Sequence, residues 1–301
     1  MKYKSVGFRI FYVFNLMLMI FASVSFLYPI INVLARALNE GSDTAFGGIT
    51  IYPRYPTLEN FQTLFSNSTI PMAASVSFLR VFFGTLFSMI VTFFAGYALT
   101  KKSFMGKTAI QVFLIVPMFI SGGLIPTYLL YSKLHLIDNF LVYILPGAFS
   151  FYSAAIIRVY INENIPDSLR EAARLDGANE ILIFFKIIVP LSMPIVAVIA
   201  LWNAVGAWND WTTTLYYVTD KKLYTLQYVL MMVLKQSERL QQFILQAVKE
   251  GKYLDPKTMP KTTPESIQCA QIIITILPIV CVYPFAQKYF IKGAVIGALK
   301  E

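Results

Sequence analysis

The chain consists of long apolar stretches separated by shorter polar ones. Six stretches approach or exceed the roughly 20 apolar residues that a helix needs to cross a bilayer at a rise of about 1.5 Å per residue. They cover residues 10–35, 81–99, 108–130, 140–157, 187–208 and 267–290. This pattern predicts an all-α integral membrane protein with six transmembrane helices.

The composition agrees with a membrane protein. The 301 residues are 57% hydrophobic and 14% charged, with a mean hydropathy of +0.62, which is more apolar surface than one soluble core can hide. The first stretch follows Lys2, Lys4 and Arg9 and so resembles a secretory signal. It is longer than the roughly 7 to 15 apolar residues of a signal core, so we expect an uncleaved anchor.

Lysine and arginine in the short segments predict the orientation, because cytoplasmic loops carry an excess of both. With the N-terminus inside, the cytoplasmic segments hold Lys2, Lys4, Arg9, Lys101, Lys102, Lys107, Arg158, Arg170, Arg174, Lys186, Lys288, Lys292 and Lys300. The short outer loop, residues 131–138, holds Lys133 alone. We therefore expect both termini in the cytoplasm. The net charge of +9 then reflects this topology and anionic lipid headgroups, not a nucleic-acid partner.

The segment 164–186 is a charged loop between the fourth and fifth stretches, and it carries helix-boundary signals. Pro166 and Asp167 suit a first helical turn, while Ser168 with Glu171 is an alternative capping box, so the helix begins at either place. Gly177 is expected to end this helix in the left-handed conformation. A second helix should begin near residue 179 and lead into the fifth stretch.

So short a helix is marginal alone and must be stabilised by docking. Leu169, Ala172 and Ala173 share one face, which Arg170 and Arg174 frame with charge. A small-residue face suits close approach of another protein. A helix lying on the membrane surface is the alternative.

This segment resembles the EAA loop of ATP-binding-cassette (ABC) import permeases. Six residues fit the family pattern at its spacing: Glu171, Ala172, Ala173, Gly177, Ile187 and Pro190. Val189 stands where the family usually has leucine, which keeps the position apolar. In the family, this loop is the coupling helix that fits a cleft on the nucleotide-binding subunit. The resemblance implies coupling residues Leu169, Arg170, Glu171, Ala172, Ala173, Arg174, Asp176, Gly177, Ala178 and Pro190.

The wider chain, residues 81–300, resembles carbohydrate-uptake permeases of the maltose-permease-like kind. Matching segments are residues 124–128, 166–169, 208–211 and 287–293. The closing run 278–293 and the long outer insertion look most like the branch that serves lipoprotein-linked transport of complex sugars. The resemblance implies a type I importer bundle that moves oligosaccharides by alternating access. It also implies a second permease subunit, two copies of a cytoplasmic ATPase that holds ATP and Mg, and an extracytoplasmic solute-binding protein.

No segment offers a nucleotide-binding motif of its own. Gly106-Lys107-Thr108 resembles the end of a phosphate-binding loop, but that motif needs a glycine where this chain has Lys101. We therefore expect no enzyme activity, no catalytic residue and no cofactor in this chain. The single His135 has no clustered partners in the sequence, so a metal site is not expected either.

The substrate path is expected near the outer half of the fifth stretch, where amide, carboxylate and indole groups concentrate. The candidates are Asn203, Trp208, Asn209, Asp210 and Trp211. An aromatic belt at the membrane interface is the alternative for the tryptophans. Arg80, at the outer end of the second stretch, is expected to snorkel to the interface.

The domain organisation is expected to be simple. Residues 1–71 form the N-terminal tail, first transmembrane helix and outer loop, and residues 72–301 form the core permease domain. Within it, the outer insertion 212–266 should carry one or two short helices and contact partners. Glycine and proline in the third stretch indicate either a kinked or a broken helix. The alternative function is a secondary transporter or channel subunit for a small polar solute, which should place charged groups at mid-membrane.

Overall fold

The computed structural model describes residues 6–66, 69–250 and 262–298. Lys2, Lys4, Lys300 and residues 251–261 of the expected outer insertion lie outside these ranges. The chain forms two compact units, one of residues 1–68 with 230–277 and one of residues 69–229 with 278–301.

The described residues are predominantly helical. In chain order the α-helices are α1 (Val6–Ala37), α2 (Gly41–Ala45), α3 (Glu59–Ser66), α4 (Thr69–Ala98), α5 (Lys107–Phe119), α6 (Leu124–Lys133), α7 (Phe151–Asn164), α8 (Asp167–Leu175), α9 (Glu180–Ile183), α10 (Val189–Leu191), α11 (Met193–Asn209), α12 (Thr212–Tyr217), α13 (Leu226–Lys249) and α14 (Pro264–Ala298). Phe140–Tyr143 and Lys221–Leu223 are 3-10 turns, and Phe184–Ile188 is a π-helical segment.

Two buried asparagines connect segments of the first unit through hydrogen bonds. The Asn60 amide donates to the carbonyl oxygens of Ala37 at 2.9 Å and Asn39 at 2.8 Å, and Asn60 accepts from the Ser266 hydroxyl at 2.7 Å. Asn39 and Asn60 are both fully buried. A buried amide is stable only when its hydrogen bonds are made, so these contacts fix the chain after α1 against the start of α14.

Helix α4 is the centre of the second unit and packs against α7 and α11. The core cluster joins apolar side chains of these helices and of the segment before α11: Met89, Phe93, Tyr97, Ile157, Ile161, Ile165, Ile183, Phe184, Ile188 and Ile199. Gly96 allows α4 and α7 to approach closely. A Cβ at Gly96 would lie 2.8 Å from the side chain of Ile157, so a larger residue would push these helices apart.

By length and composition, three helical segments in the described chain can cross a membrane: α1, α4 and Pro264–Pro284 of α14. Two bent pairs bring the number to five if each pair is one span. These are α5 with α6, bent by 116°, and Glu180–Leu191 with α11, bent by 77°. The third stretch is thus broken at residues 120–123, where Ile120 is extended and Gly123 has φ +84°.

The fourth apolar stretch is not the continuous helix that its length predicts. A 3-10 turn, Phe140–Tyr143, is followed by irregular chain around Pro146 and Gly147, and α7 begins only after Ser150. The Ser150 hydroxyl accepts from the backbone N–H of Ser153 at 3.3 Å and caps α7. Pro146, Gly147 and the Ser150 cap therefore interrupt the helix, although the stretch is apolar enough to form a continuous one.

The start of the expected outer insertion is integrated into the second unit. Thr214, Val218, Leu226 and Val229 are buried, and the Tyr143 hydroxyl lies 2.9 Å from the Thr214 hydroxyl. The middle part forms α13, a helix of 24 residues, which is longer than the short helices expected.

Candidate functional site

The charged loop folds as a helix-turn-helix element. Helix α8 begins directly after Pro166, which has φ −59° and ψ 140°, and Asp167 lies in its first turn. The structure therefore selects the proline start over the Ser168 capping box. Asp167 places negative charge at the positive end of the helix dipole, which favours this start.

Gly177 ends α8 in the predicted left-handed conformation, with φ +82°. Its N–H donates to the Arg174 carbonyl at 3.0 Å, and the Ala178 N–H donates to the Ala173 carbonyl at 2.9 Å. These two bonds form a Schellman motif, which satisfies carbonyls left free at a helix end. The second helix then begins at Glu180, close to the predicted start near residue 179. Asn179 caps it, accepting from the Leu182 N–H at 2.8 Å.

Pro190 lies just beyond a π-helical segment, Phe184–Ile188. Proline has no N–H, and in an α-helix its ring clashes with the carbonyl four residues earlier. The wider π-helical turn before Pro190 relieves this clash. Together with the bend after Leu191, this segment turns the chain from the loop into α11.

The two faces of α8 differ from the predicted assignment. Arg170 is only 7% exposed, and Ala173 and Ala178 pack against the bundle core. Arg170 donates to Asp167 at 2.5 Å and to the Thr100 hydroxyl at 3.4 Å. Arg170 and Ala173 therefore lie on the side of α8 that contacts the bundle, and their expected part in coupling stays a prediction.

The exposed side of α8 carries apolar residues together with polar ones. Leu175 is 90% exposed and Leu169 is 45% exposed, and Ala172 is also exposed. Ser168, Glu171 and Asp176 are exposed beside them. Sequence reasoning missed Leu175. Its spacing of three residues from Ala172, which itself follows Leu169 by three, was the available signal.

Glu180 joins three elements in a charged cluster that sequence reasoning missed. Its carboxylate accepts from Lys101 at 2.5 Å, from Arg174 at 2.6 Å and from the Tyr97 hydroxyl at 2.9 Å. These three hydrogen bonds stabilise the ionised carboxylate of Glu180. Arg174 thus pairs with Glu180, whereas Glu171 makes no ion pair in the described part of the chain.

A cavity of about 330 Å³ lies beside the middle of α4. Both polar and apolar residues line it, and it is called the polar cavity below. Its polar and aromatic lining residues include Arg80, Thr85, Ser88, Tyr143, Trp202, Asn203, Asp210 and Thr213. The Asn203 amide donates to the Ser88 hydroxyl at 3.2 Å. The Thr85 hydroxyl is buried and has no hydrogen-bond partner among the described residues.

Arg80 forms an ion pair with Asp210 and does not snorkel as expected; the Arg80 side chain is buried and that of Asp210 is half-buried. Arg80 is 5% exposed, also donates to the Asp210 carbonyl oxygen at 2.8 Å, and lies over the Tyr143 ring at 4.7 Å. Asp210 in turn accepts from the hydroxyls of Thr212 at 2.6 Å and Thr213 at 2.5 Å. Burial opposes ionisation of Asp210. The hydrogen bonds from these threonines and the charge of Arg80 outweigh that effect and lower its pKa to about 2.

The structure places only two of the five expected path residues, Asn203 and Asp210, at this cavity. Trp208 is buried and packs edge-on against Phe78, with ring centroids 5.2 Å apart. Asn209 is exposed and accepts from Gln227 at 3.4 Å, and Trp211 precedes α12. Trp202, Ser88 and Thr85 line the cavity and were missed, because only the packing of α4 against α11 brings them together.

Comparison with known proteins identifies the family. Residues 1–294 match the model of the family described as "Binding-protein-dependent transport system inner membrane component". The chain is 32% identical over 286 residues to the polygalacturonan/rhamnogalacturonan transport system permease protein YtcP of Bacillus subtilis, covering 94% of this chain and 95% of that protein. It is 34% identical over 292 residues to protein LplC of the same organism, covering 97% and 95%.

A solved structure shows the same fold. A chain from the crystal structure of a bacterial ABC transporter involved in the import of the acidic polysaccharide alginate superimposes with a TM-score of 0.81. The two chains are 26% identical, and the match covers 96% of this chain and 100% of that one. These matches do not favour a secondary transporter or channel. The chain belongs to the family of binding-protein-dependent transport system inner membrane components and is a multi-pass permease of the type I ABC importer fold.

Proposed function

We propose that this chain is one of two permease subunits of an ATP-driven importer for oligosaccharides. The observation that carries the proposal is the match along almost the whole chain to a permease named for polygalacturonan and rhamnogalacturonan. The polar cavity of the second unit supports it, because hydroxyl, amide and indole groups are suited to sugars. The other components are a second, different permease chain, two copies of a cytoplasmic ATPase that holds ATP and Mg, and an extracytoplasmic binding protein.

The proposed topology has six spans, with α5–α6, residues 140–164 and Glu180–α11 each serving as one interrupted span. Contacts within the second unit support it. Lys101 forms an ion pair with Glu180, and Lys102 forms one with Asp167, so the loop after α4 lies beside α8. At the opposite end, Asp138 accepts from the Thr219 hydroxyl at 2.5 Å. With the basic loops inside, both termini are cytoplasmic.

In the proposed coupling, the exposed face of α8 docks on the ATPase. Leu169, Ala172 and Leu175 supply apolar contact, and Glu171 and Asp176 supply charge beside it. Burying a leucine contributes about 1.5–3 kcal/mol, so a side chain as exposed as Leu175 gains most from a partner surface.

The opposite face of α8 passes the movement of the ATPase to the bundle. Arg170 donates to the Thr100 hydroxyl, and Ala173 packs against the bundle core, as does Ala178 in the turn after α8. Arg174 acts through Glu180. Gly177 and Pro190 set the direction of the chain on either side of the second helix. Rigid contacts of this kind allow a displacement of α8 to move α4 and α11.

We place the sugar path of this subunit at the polar cavity. Asn203 and Ser88 offer hydrogen bonds and Trp202 offers a ring face, while the Arg80–Asp210 pair shapes the cavity wall. Trp208, Asn209 and Trp211 support the surrounding packing. The outer insertion 212–266 contacts the binding protein beyond its integrated first part.

Uptake by intact cells tests the substrate class. Cells that carry the gene should take up labelled oligogalacturonides or arabino-oligosaccharides, and cells from which only this gene has been deleted should not. Labelled amino acids and inorganic ions serve as controls and should enter both strains equally. Loss of amino-acid or ion uptake with sugar uptake intact would contradict the proposal.

A further inference from the structure

A second cavity, of about 590 Å³, lies between the loop after α4, the start of α5, the end of α7 and α8. Its lining contains five basic side chains: Lys101, Lys102, Lys107, Arg170 and Arg174. Only two carboxylates line it, Asp167 and Glu171. This excess of positive charge is confined to one concave surface, as an anion site requires.

Ion pairs neutralise the cavity only in part. Lys101 and Arg174 share the carboxylate of Glu180. Lys102 and Arg170 share the single carboxylate of Asp167, at 3.3 Å and 2.5 Å. Lys107 forms no ion pair within the described residues. Arg158 of α7 is a further cation that repels Lys107. Its Nε is buried and has no hydrogen-bond partner among the described residues.

Exposed apolar side chains are close to these bases in the sequence. Met105 is 89% exposed and Phe104 is 37% exposed, and both fall between Lys102 and Lys107 in the chain. On α5, Phe113 is 73% exposed and Ile110 is 38% exposed. Bases at the end of an apolar helix, interleaved with exposed apolar residues, are the combination that binds an acidic headgroup and its acyl chains.

We propose that this basic cavity binds the phosphate headgroup of an anionic phospholipid of the inner leaflet, with the acyl chains against α5. The inference rests on the proposed orientation, which places this end of α4 at the cytoplasmic face. The apolar neighbours favour a lipid over a soluble phosphate, which would need the bases alone. A lipid held here contacts α8 at Arg170, Glu171 and Arg174, so lipid composition would act on the coupling element.

Native mass spectrometry of the complex, purified with its accompanying subunits, measures this binding. Phosphatidylglycerol is titrated against the parent complex and against Lys102→Gln/Lys107→Gln. Each base contributes about fivefold in affinity, equivalent to about 1 kcal/mol, so the double variant should bind on the order of 25-fold more weakly. Phosphatidylcholine retention should be the same in both.

Two matched variants isolate the cavity. Lys133→Gln/Lys186→Gln removes the same charge from positions outside the cavity lining and should leave phosphatidylglycerol affinity close to the parent value. Lys102→Arg/Lys107→Arg keeps the charge and should keep the affinity. If the glutamine double variant does not assemble, Lys107→Gln alone should assemble, because Lys107 makes no ion pair, and should bind about fivefold more weakly.

Three results would overturn the proposal. Equal loss of affinity in the control double variant would mean that lipid responds only to net charge. Unchanged affinity in the cavity variants would mean that lipid binds elsewhere. Displacement of phosphatidylglycerol by inorganic phosphate at equal concentration would assign the cavity to a soluble anion. The measurement needs no sugar and no transport, so it stays informative if the proposed substrate class is wrong.

Discussion

Single residues set the geometry of the loop and of the cavity. Gly177 has φ +82°, and a Cβ there would meet no atom within 4 Å. The requirement for glycine therefore comes from the backbone and not from packing. Elsewhere in the second unit, the buried Arg80 side chain is paired with the half-buried Asp210 carboxylate, so each depends on the charge of the other.

Gly177→Val should weaken association with the ATPase while the transmembrane helices remain inserted. A β-branched residue at this φ is strained by about 1–2 kcal/mol, which loosens the Schellman motif. Gly177→Asn is the matched control, because asparagine tolerates the left-handed conformation. Detergent gel filtration should show ATPase loss for valine and retention for asparagine. Equal retention in both would contradict the role given to the turn.

Arg80→Met should lower the melting temperature of the complex. Breaking a buried ion pair leaves one charge without a partner and costs about 3–5 kcal/mol. Arg80→Met/Asp210→Asn removes both charges and should recover part of the loss. A double variant as unstable as the single one would show that the pair carries no coupling energy.

The ionisation of Asp210 in this pair makes the stability of the protein depend on pH. The pKa of Asp210 is depressed to about 2 in the folded protein, so its contribution is present above the unfolded value of about 4. That contribution is lost as the pH falls from about 4 toward 2. The difference in melting temperature between the parent complex and Arg80→Met should therefore stay constant between pH 5 and 8. A difference that shrinks in this range would contradict the low pKa.

At the scale of elements, α8 has two faces with separate tasks. Arg170 and Ala173 face the bundle, and Leu175 faces away from it. The sequence predicted where α8 ends and where the second helix begins, because Gly177 and Asn179 act locally. It did not predict which face is inward. That depends on Thr100 and Tyr97, which lie far from the loop in sequence.

Leu175→Asp should reduce ATPase affinity without changing the stability of the permease. The side chain is already exposed in this chain, so replacing it costs little in the free energy of unfolding. Burying a leucine side chain contributes about 1.5–3 kcal/mol to the binding free energy, so its loss should weaken the complex by roughly 10- to 100-fold. Leu134→Asp is the matched control, at a leucine that is 57% exposed and belongs to the loop between the third and fourth stretches. Affinity equal to the parent for Leu175→Asp would remove Leu175 from the docking face.

At the scale of the whole molecule, apolar length predicted the class of protein but not every span. The first, second and sixth stretches contain single helices long enough to cross a membrane, since nothing in them interrupts the helix decisively. The third and fourth stretches are interrupted at Gly122–Gly123 and at Pro146–Gly147, where local chemistry overrides hydropathy. The polar cavity required the packing of α4 on α11, which a single sequence does not reveal.

The proposed topology predicts which face each short loop reaches. In a variant without Cys269 and Cys281, a cysteine at Lys102 should react with a membrane-impermeant thiol reagent only in inside-out vesicles. A cysteine at Lys133 should react only in right-side-out vesicles. The reverse pattern would place both termini outside.

The central claim is that ATP hydrolysis on a separate subunit, passed through α8, moves a sugar through this permease. Proteoliposomes that hold the complete complex, with ATP trapped on the ATPase side and binding protein on the other, measure it directly. Labelled oligosaccharide should accumulate only with ATP present, and accumulation should be lost with Leu175→Asp but kept with Leu134→Asp. Accumulation that an ion gradient drives without ATP, or that survives Leu175→Asp unchanged, would contradict the account.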